Sequence, residues 1–395
     1  MSLLESYLAK TIPCCCGRDH FVPIQELNCD LWQTDRSDTL AALLGGKRAL
    51  LLCDAHTHDA INASLIGYLK QNGWILTVRE YQRDNLVNDE LTVGTAVLDM
   101  TSEITGIIAV GGGTITDLGR FVASRLNRPF VLVMTCPSMD GYASNVAGMM
   151  IGGKKRVLKD CEFPTAVLGD MEVIRNAPME LICSGYGDML GKRTALPDWI
   201  LAHHAHGDYF CPKTAELVAQ SASWCSDSAA VAALLNRDER WVRTLIETLL
   251  QKGVNMALCD DTRPASGSEH IFSHYLVEQA IADGRTPPSH GASVGFGTLV
   301  STLLYEYLLT VVAPKDLALL EPELRKSLLP SQTVYQLLEQ SGIGGKLTDY
   351  LADGQALADM IRASSGSNKR YTILAYLQEH SLLEPAIDFV CSNMK

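Results

Sequence analysis

Along the first 175 residues, short apolar runs alternate with stretches of helical spacing. Arg48–Asp54 is an apolar run that ends in a carboxylate, and Trp74–Arg79, Gly106–Gly111, Phe130–Met134 and Ala166–Leu168 repeat the pattern. Between the first two runs, Ile61, Leu65, Tyr68 and Leu69 share one helical face, and Gly73 follows as a stop signal. Apolar strands separated by helices predict a parallel sheet covered on both faces. From about Met179 the pattern changes: helical spacing runs over 179–206, 213–235, 238–256 and 268–283, and strand-like runs nearly vanish. The chain is therefore expected to form an α/β domain with a Rossmann-like parallel sheet over 1–175 and an all-α domain over 176–395, with the boundary beside Pro178. Ligands of open α/β sheets sit beyond the carboxyl ends of the strands. The expected active site is then the cleft between the two domains.

Composition narrows the function. A length of 395 residues suits two domains, and 47% hydrophobic residues suffice for a sizeable core. The formal net charge of −12 gives no electrostatic reason to bind nucleic acid or an anionic membrane, so an anionic substrate needs a local basic pocket. No apolar run approaches the roughly 20 residues of a membrane helix, and Met1–Glu5 lacks the basic start of a secretion signal. A cytoplasmic chain without membrane insertion is expected. Its twelve cysteines then read as thiols in a reducing compartment rather than a disulfide framework. Cys14, Cys15 and Cys16 with His20 lack the Cys-x-x-Cys spacing of a zinc site, and adjacent cysteines diverge, so an edge strand is expected there.

Three places carry candidate chemistry. The strand 106–111 runs into Gly111-Gly112-Gly113-Thr114-Ile115-Thr116-Asp117 and then a helix. Glycines allow φ > 0 and close approach of a phosphate, and the helix start offers free N–H groups to an anion. The alternative is a tight turn with a capped helix. Asp54, at the end of its strand, can accept both ribose hydroxyls of an adenosine and repel a 2′-phosphate, or it can cap the helix that follows. His270 and His274 are spaced i, i+4, His290 opens a further helix, and Asp188 lies among small residues. Asp188, His270 and His290 make a three-ligand set with open positions, suited to zinc, iron, nickel or manganese. Two histidines on one helix face can equally be polar core or surface residues. The histidines of 203–206 read as a helix end, and His56 and His58 as a loop.

Taken together, residues 111–117, Thr135–Ser144, Ser184–Asp188, Arg263–His270 and Ser289–Gly291 resemble the family of glycerol dehydrogenase, iron-containing alcohol dehydrogenase and 3-dehydroquinate synthase. The resemblance runs from about Asp54 to Thr298. It implies an NAD-dependent oxidoreductase, NADP being possible, with one divalent zinc, nickel or iron ion. Gly111, Gly112, Gly113, Thr114, Thr116 and Asp117 would bind the cofactor at its pyrophosphate, Asp54 at its ribose, and Thr135, Ser138 and Ser144 along its length. Asp188, His270 and His290 would bind the metal. Asp140, Asp188 and His274 would touch substrate, with His274 relaying a proton.

Arg263 lies seven residues before His270, an offset at which dehydroquinate synthases bind phosphate. A guanidinium matches phosphate oxygens in pairs. The resemblance with Arg263 thus implies a small phosphorylated ketone or polyol, with dihydroxyacetone phosphate and sn-glycerol 1-phosphate as the interconverted pair and phospholipid metabolism as the setting. Lys154, Lys155 and Lys192 could assist, or be solvated surface lysines. An unphosphorylated polyol or hydroxy acid is the alternative, and a synthase-type lyase a further one. Against the lyase, Asp188 replaces that enzyme's glutamate, Lys192 is displaced by one residue, and Ser268 or Gly267 stands where it has asparagine. A homodimer is expected from the family.

Overall fold

The computed structural model describes residues 2–32, 35–82, 86–343, 351, 353–366 and 370–394. They form two compact units, Met1–Pro13 with Asp19–Pro178 and Arg237–Leu258, and Cys14–Arg18 with Met179–Asn236 and Cys259–Lys395.

The first unit is built on six parallel strands in the spatial order Glu26–Asn28, Ala166–Gly169, Phe130–Met134, Gly106–Gly111, Arg48–Asp54 and Ile75–Tyr81. Five of these are the apolar runs of the sequence. The sixth, Glu26–Asn28, is too short to show periodicity, with only Leu27 buried. Every residue of 106–111 and 130–134 is buried, because helices cover both faces. On one face Leu40, Leu44, Ile61, Leu65, Leu69 and Trp74 pack over Leu51, Ile108, Val110 and Val131. On the other, Gly113–Arg125 lies close to the sheet at Gly119, where a β-carbon would stand 2.7 Å from the Ala109 side chain. Chain order reverses between Arg48–Asp54 and Gly106–Gly111, so the carboxyl ends of these two strands flank the topological switch point.

The segment Arg237–Leu258, most of it helix Glu239–Cys259, belongs to this unit, although its surroundings in sequence are helical throughout. Arg243 pairs with Asp30 at 3.0 Å, and Gly253 meets the Ala143 backbone, where a β-carbon would stand 2.3 Å from the carbonyl oxygen. Helical periodicity reports that a face is apolar, not which partner covers it.

In the second unit, the stretch expected as one helix over 179–206 is two, Met179–Leu190 and Lys192–His206, hinged at Gly191. The stretch 213–235 is likewise divided into Pro212–Ala222, Ser223–Ser226 and Ser228–Leu235, the last begun by Asp227 accepting from the Ala229 amide. Helices Ser268–Ala282 and His290–Glu306 follow. The stretch His290–Val312 is long and apolar enough by composition to cross a membrane, contrary to the sequence expectation. Its apolar window is 83% buried, the mark of a core helix.

Three of these helices approach to backbone distance. A β-carbon on Gly291 would stand 1.5 Å from the Ser184 carbonyl oxygen, one on Gly187 2.2 Å from that of Gly291, and one on Gly297 2.3 Å from that of Glu269. Hydrogen bonds between Ser273 and Ser293 (2.6 Å) and between Ser268 and Ser301 (2.8 Å) tie the second pair together.

The Cys14 segment differs from its expectation. Thr11–Pro13 and Asp19–Phe21 pair antiparallel, and Cys14–Arg18 is the turn between them, with Gly17 at φ +82°. The cysteines therefore lie on the tip, not on the strand.

Replacing Gly291 by Ala is expected to cost more than about 3 kcal/mol, the upper range for overpacking, because the obstacle is backbone. Gly354→Ala, with open space at its α-carbon, should stay within about 0.5 kcal/mol. Urea unfolding followed by circular dichroism measures both.

Candidate functional site

In the second unit, Asp188 comes from helix Met179–Leu190, His270 from the first turn of Ser268–Ala282, and His290 from the first residue of His290–Glu306. Each is next to, or one residue from, a glycine contact described above. The two imidazole Nε2 atoms face one carboxylate: His270 at 3.7 Å from Asp188 Oδ1, and His290 at 3.5 Å from Oδ2. One ligand atom from each of the three lies within 4.8 Å of the others. Tetrahedral bonds of about 2.0–2.1 Å put ligand atoms about 3.3–3.4 Å apart, so this cluster could hold a divalent ion with little movement.

The surroundings orient the set. His270 Nδ1 donates to Glu269 Oε1 at 2.8 Å, which leaves Nε2 with its lone pair toward Asp188. Glu269 is itself held by the Gly267 amide (2.6 Å) and the Thr194 hydroxyl (3.0 Å). Asp198 accepts from the Ser268 amide (2.6 Å), fixing the start of the same helix, and from Tyr305 and the Ile373 amide. Burial, with the neighbouring Glu269 carboxylate, pushes Asp198 up to about 6. Burial also works against ionisation of Asp188, but Lys192, His290 and His270 outweigh it and hold its carboxyl well below the usual range.

Lys192 corrects the reading of a surface lysine. It is buried, and its ammonium donates to Asp188 Oδ1 at 2.9 Å and to the Ala265 carbonyl at 2.6 Å. Its signal was the i, i+4 spacing from Asp188. His274 lies one turn beyond His270, half-buried and outside the three-ligand cluster. Arg263 is buried rather than open. It donates to Asp208 (2.5 Å) and to the Tyr371 carbonyl (2.5 Å), so a phosphate there must compete with a carboxylate. Lys154 and Lys155 lie in the first unit, on a strand of the hairpin Ala147–Ile151 and Lys154–Leu158.

The first unit gathers the other candidates. Cys53 pairs with Val110, which sets Asp54 beside Gly111 at the switch point. The Thr135 amide donates to the Gly111 carbonyl at 3.2 Å, bringing the loop 135–144 against the glycine turn. None of Gly111, Gly112 and Gly113 has positive φ, contrary to expectation. Their need is space: a β-carbon would meet Ile115 at 2.8 Å, Cys136 at 3.0 Å and Met139 at 3.0 Å respectively. Helix Gly113–Arg125 begins there with the Thr114 carbonyl held by Asn88 and the Thr116 hydroxyl turned to the Gly112 carbonyl.

Asp117 accepts from buried Arg120 (2.8 Å) and the Gly148 amide (2.9 Å), which ties the helix to the hairpin at 147–158. Arg120 also holds the Gly141 and Tyr142 carbonyls. Ser138 meets the Tyr142 hydroxyl at 2.8 Å, Ser144 donates to the Gly141 carbonyl, and Asp140 is buried at the start of that turn. Asp54 does cap the short turn Ala55–Thr57, accepting from the His56 amide, and burial raises its carboxyl. Glu80, missed in the sequence, is the penultimate residue of the neighbouring strand and bonds His58 at 2.6 Å. Lys252 and Asn255, also missed, are fully buried polar residues one turn apart.

Residues 33–178 match the family described as iron-containing alcohol dehydrogenase. Glycerol-1-phosphate dehydrogenase [NAD(P)+] of Bacillus subtilis is 32% identical over 338 residues, covering 84% of this chain and 82% of that protein. The protein of the same name from Sulfolobus acidocaldarius is 39% identical over 200 residues, covering 50% of this chain and 55% of its own. The fold is that of an iron-containing alcohol dehydrogenase from Thermococcus thioreducens (TM-score 0.68, 13% identity, 93% of this chain and 99% of that one). It is also that of a probable glycerol dehydrogenase from Sinorhizobium meliloti (TM-score 0.66, 19% identity, 92% and 96%).

Lys192→Met is expected to cost about 3–5 kcal/mol by stranding a buried carboxylate. The double change Asp188→Asn with Lys192→Met should cost less than the single one. Chemical unfolding of the two variants compares them.

Proposed function

This chain belongs to the glycerol-1-phosphate dehydrogenase family, and we propose that it interconverts dihydroxyacetone phosphate and sn-glycerol 1-phosphate with a nicotinamide cofactor and one divalent metal ion. The observation that carries the reading is the convergence of Asp188 with the Nε2 atoms of His270 and His290, oriented from behind by Glu269. When bound, the ion supplies Lewis acidity and the nicotinamide the hydride.

The chain's own residues do the rest. The start of helix Gly113–Arg125 takes the pyrophosphate on its free N–H groups and dipole. Asp54 accepts the ribose hydroxyls, and Glu80 beside it adds a second negative charge against a 2′-phosphate. Thr135, Ser138 and Ser144 border the cofactor. In the direction of reduction, His274 supplies the proton that the new alkoxide takes up, a role suited to imidazole near neutral pH. Asp140 orients a substrate hydroxyl. Arg263 holds the phosphate by exchanging its Asp208 partner for it. That existing pair is the one observation favouring an unphosphorylated polyol instead.

The test follows NADH oxidation with dihydroxyacetone phosphate and with dihydroxyacetone under several divalent metals. Turnover should require metal, be abolished by chelation and return on metal addition, and favour the phosphorylated ketone. His270→Ala should lose its metal. Arg263→Ala should raise KM about tenfold or more for the phosphorylated ketone alone, as for loss of a charged hydrogen bond. Activity that survives chelation removes the metal from the mechanism, and equal effects of Arg263→Ala on both ketones remove the phosphate contact.

Asp54→Gly tests the cofactor contact separately. It is expected to raise the ratio of NADPH to NADH turnover about tenfold or more, since it removes a charged acceptor for the ribose hydroxyls, worth about 1.5–3 kcal/mol. An unchanged ratio reduces Asp54 to the cap of its turn.

A further inference from the structure

The turn Cys14–Arg18 holds chemistry that the dehydrogenase reaction does not use. The Gly17 amide donates to the Cys14 carbonyl at 3.1 Å, and Gly17 at φ +82° closes the turn. In this geometry Cys14 and Cys16 converge while Cys15 points to solvent. Adjacent cysteines do diverge, as the sequence indicates, but alternate ones on a turn do not. Within the helical unit, the sulfurs of Cys14, Cys16 and Cys211 lie within 4.8 Å of one another.

The distances have a chemical meaning. Cys14 Sγ and Cys211 Sγ are 3.7 Å apart, too far for a disulfide. Zinc–sulfur bonds of about 2.3 Å at tetrahedral angles give a sulfur–sulfur edge of about 3.8 Å. Cys211 and Cys16 have polar support of the kind that metal-bound thiolates receive. Cys211 precedes helix Pro212–Ala222 and accepts the Thr214 amide at 3.4 Å, at the positive end of the helix dipole. Cys16 meets the Tyr209 hydroxyl at 3.2 Å, and the Arg18 guanidinium lies over the Tyr209 ring at 3.7 Å. None of the twelve cysteines is in a disulfide.

We propose that Cys14, Cys16 and Cys211, all in the helical unit, bind a structural zinc ion, separate from the Asp188 site. Three thiolates make a soft donor set of the kind that structural zinc sites use, unlike the carboxylate and imidazoles around Asp188. On binding, the thiols release their protons to solvent and no redox step occurs. Its ligands come from a turn near the N-terminus and from a helix start almost two hundred residues later, so the ion would join distant parts of the chain.

The full-length chain, produced with zinc and purified under reducing conditions, should hold one zinc equivalent more than a Cys14→Ser, Cys16→Ser variant by elemental analysis. His270→Ala should retain that equivalent, which separates it from the proposed catalytic metal. Cobalt loaded into the wild-type chain and into His270→Ala should give a sulfur-to-cobalt charge-transfer band, a readout that does not depend on the serine variant folding. Equal zinc in the wild-type chain and the serine variant overturns the proposal. So does a cobalt form without the thiolate band, or a Cys14–Cys211 disulfide in the zinc-supplemented, reduced protein.

Discussion

At Gly291 the α-carbon of one helix presses on the Ser184 carbonyl of another with no room for a methyl group, and Gly187 and Gly297 repeat the contact on either side. Close-packed interiors do not deform to admit extra atoms cheaply. These three positions therefore fix the mutual placement of helices Met179–Leu190, Ser268–Ala282 and His290–Glu306. Asp188, His270 and His290 are neighbours of the glycines or of the residues that the glycines touch. The convergence of these three side chains is thus inherited from backbone packing.

That packing creates an electrostatic problem which the surrounding residues resolve. A carboxylate with no solvent contact is costly unless paired. Asp188 is paired with Lys192 on one oxygen and faces two imidazoles, while Glu269 and Asp198 hold the backbone and ring of the His270 turn. The result is a carboxylate held in its ionised form at the centre of the cluster. Its supports sit on the same helices as the ligands.

The first unit solves a different problem with the same residue type. The glycine turn at 111–113 adopts ordinary backbone angles, and its glycines are required because Ile115, Cys136 and Met139 fill the space a side chain would take. The loop 135–144 thereby closes on the turn, and Arg120 and Asp117 anchor it from beneath. Asp54 ends its strand opposite Tyr81, and Glu80, one residue earlier on the neighbouring strand, lies near enough to raise the Asp54 carboxyl further beyond the effect of burial.

By itself the sequence determined the strands and helices with strong periodicity, and the glycine turn. It also singled out Asp188, His270 and His290 as candidate ligands, because period, punctuation and ordered motif spacing are local properties. The parallel sheet followed from apolar runs too continuous for a half-exposed strand. Tertiary structure alone decided what depends on contacts distant in sequence. It buried Lys192 against Asp188, committed Arg263 to Asp208, grouped helix Glu239–Cys259 with the α/β unit, and brought Cys211 to the Cys14 turn. A sequence pattern records that a residue is polar or a face apolar. Which partner meets it is set only when the backbone closes, and at Gly291 that closure leaves no alternative.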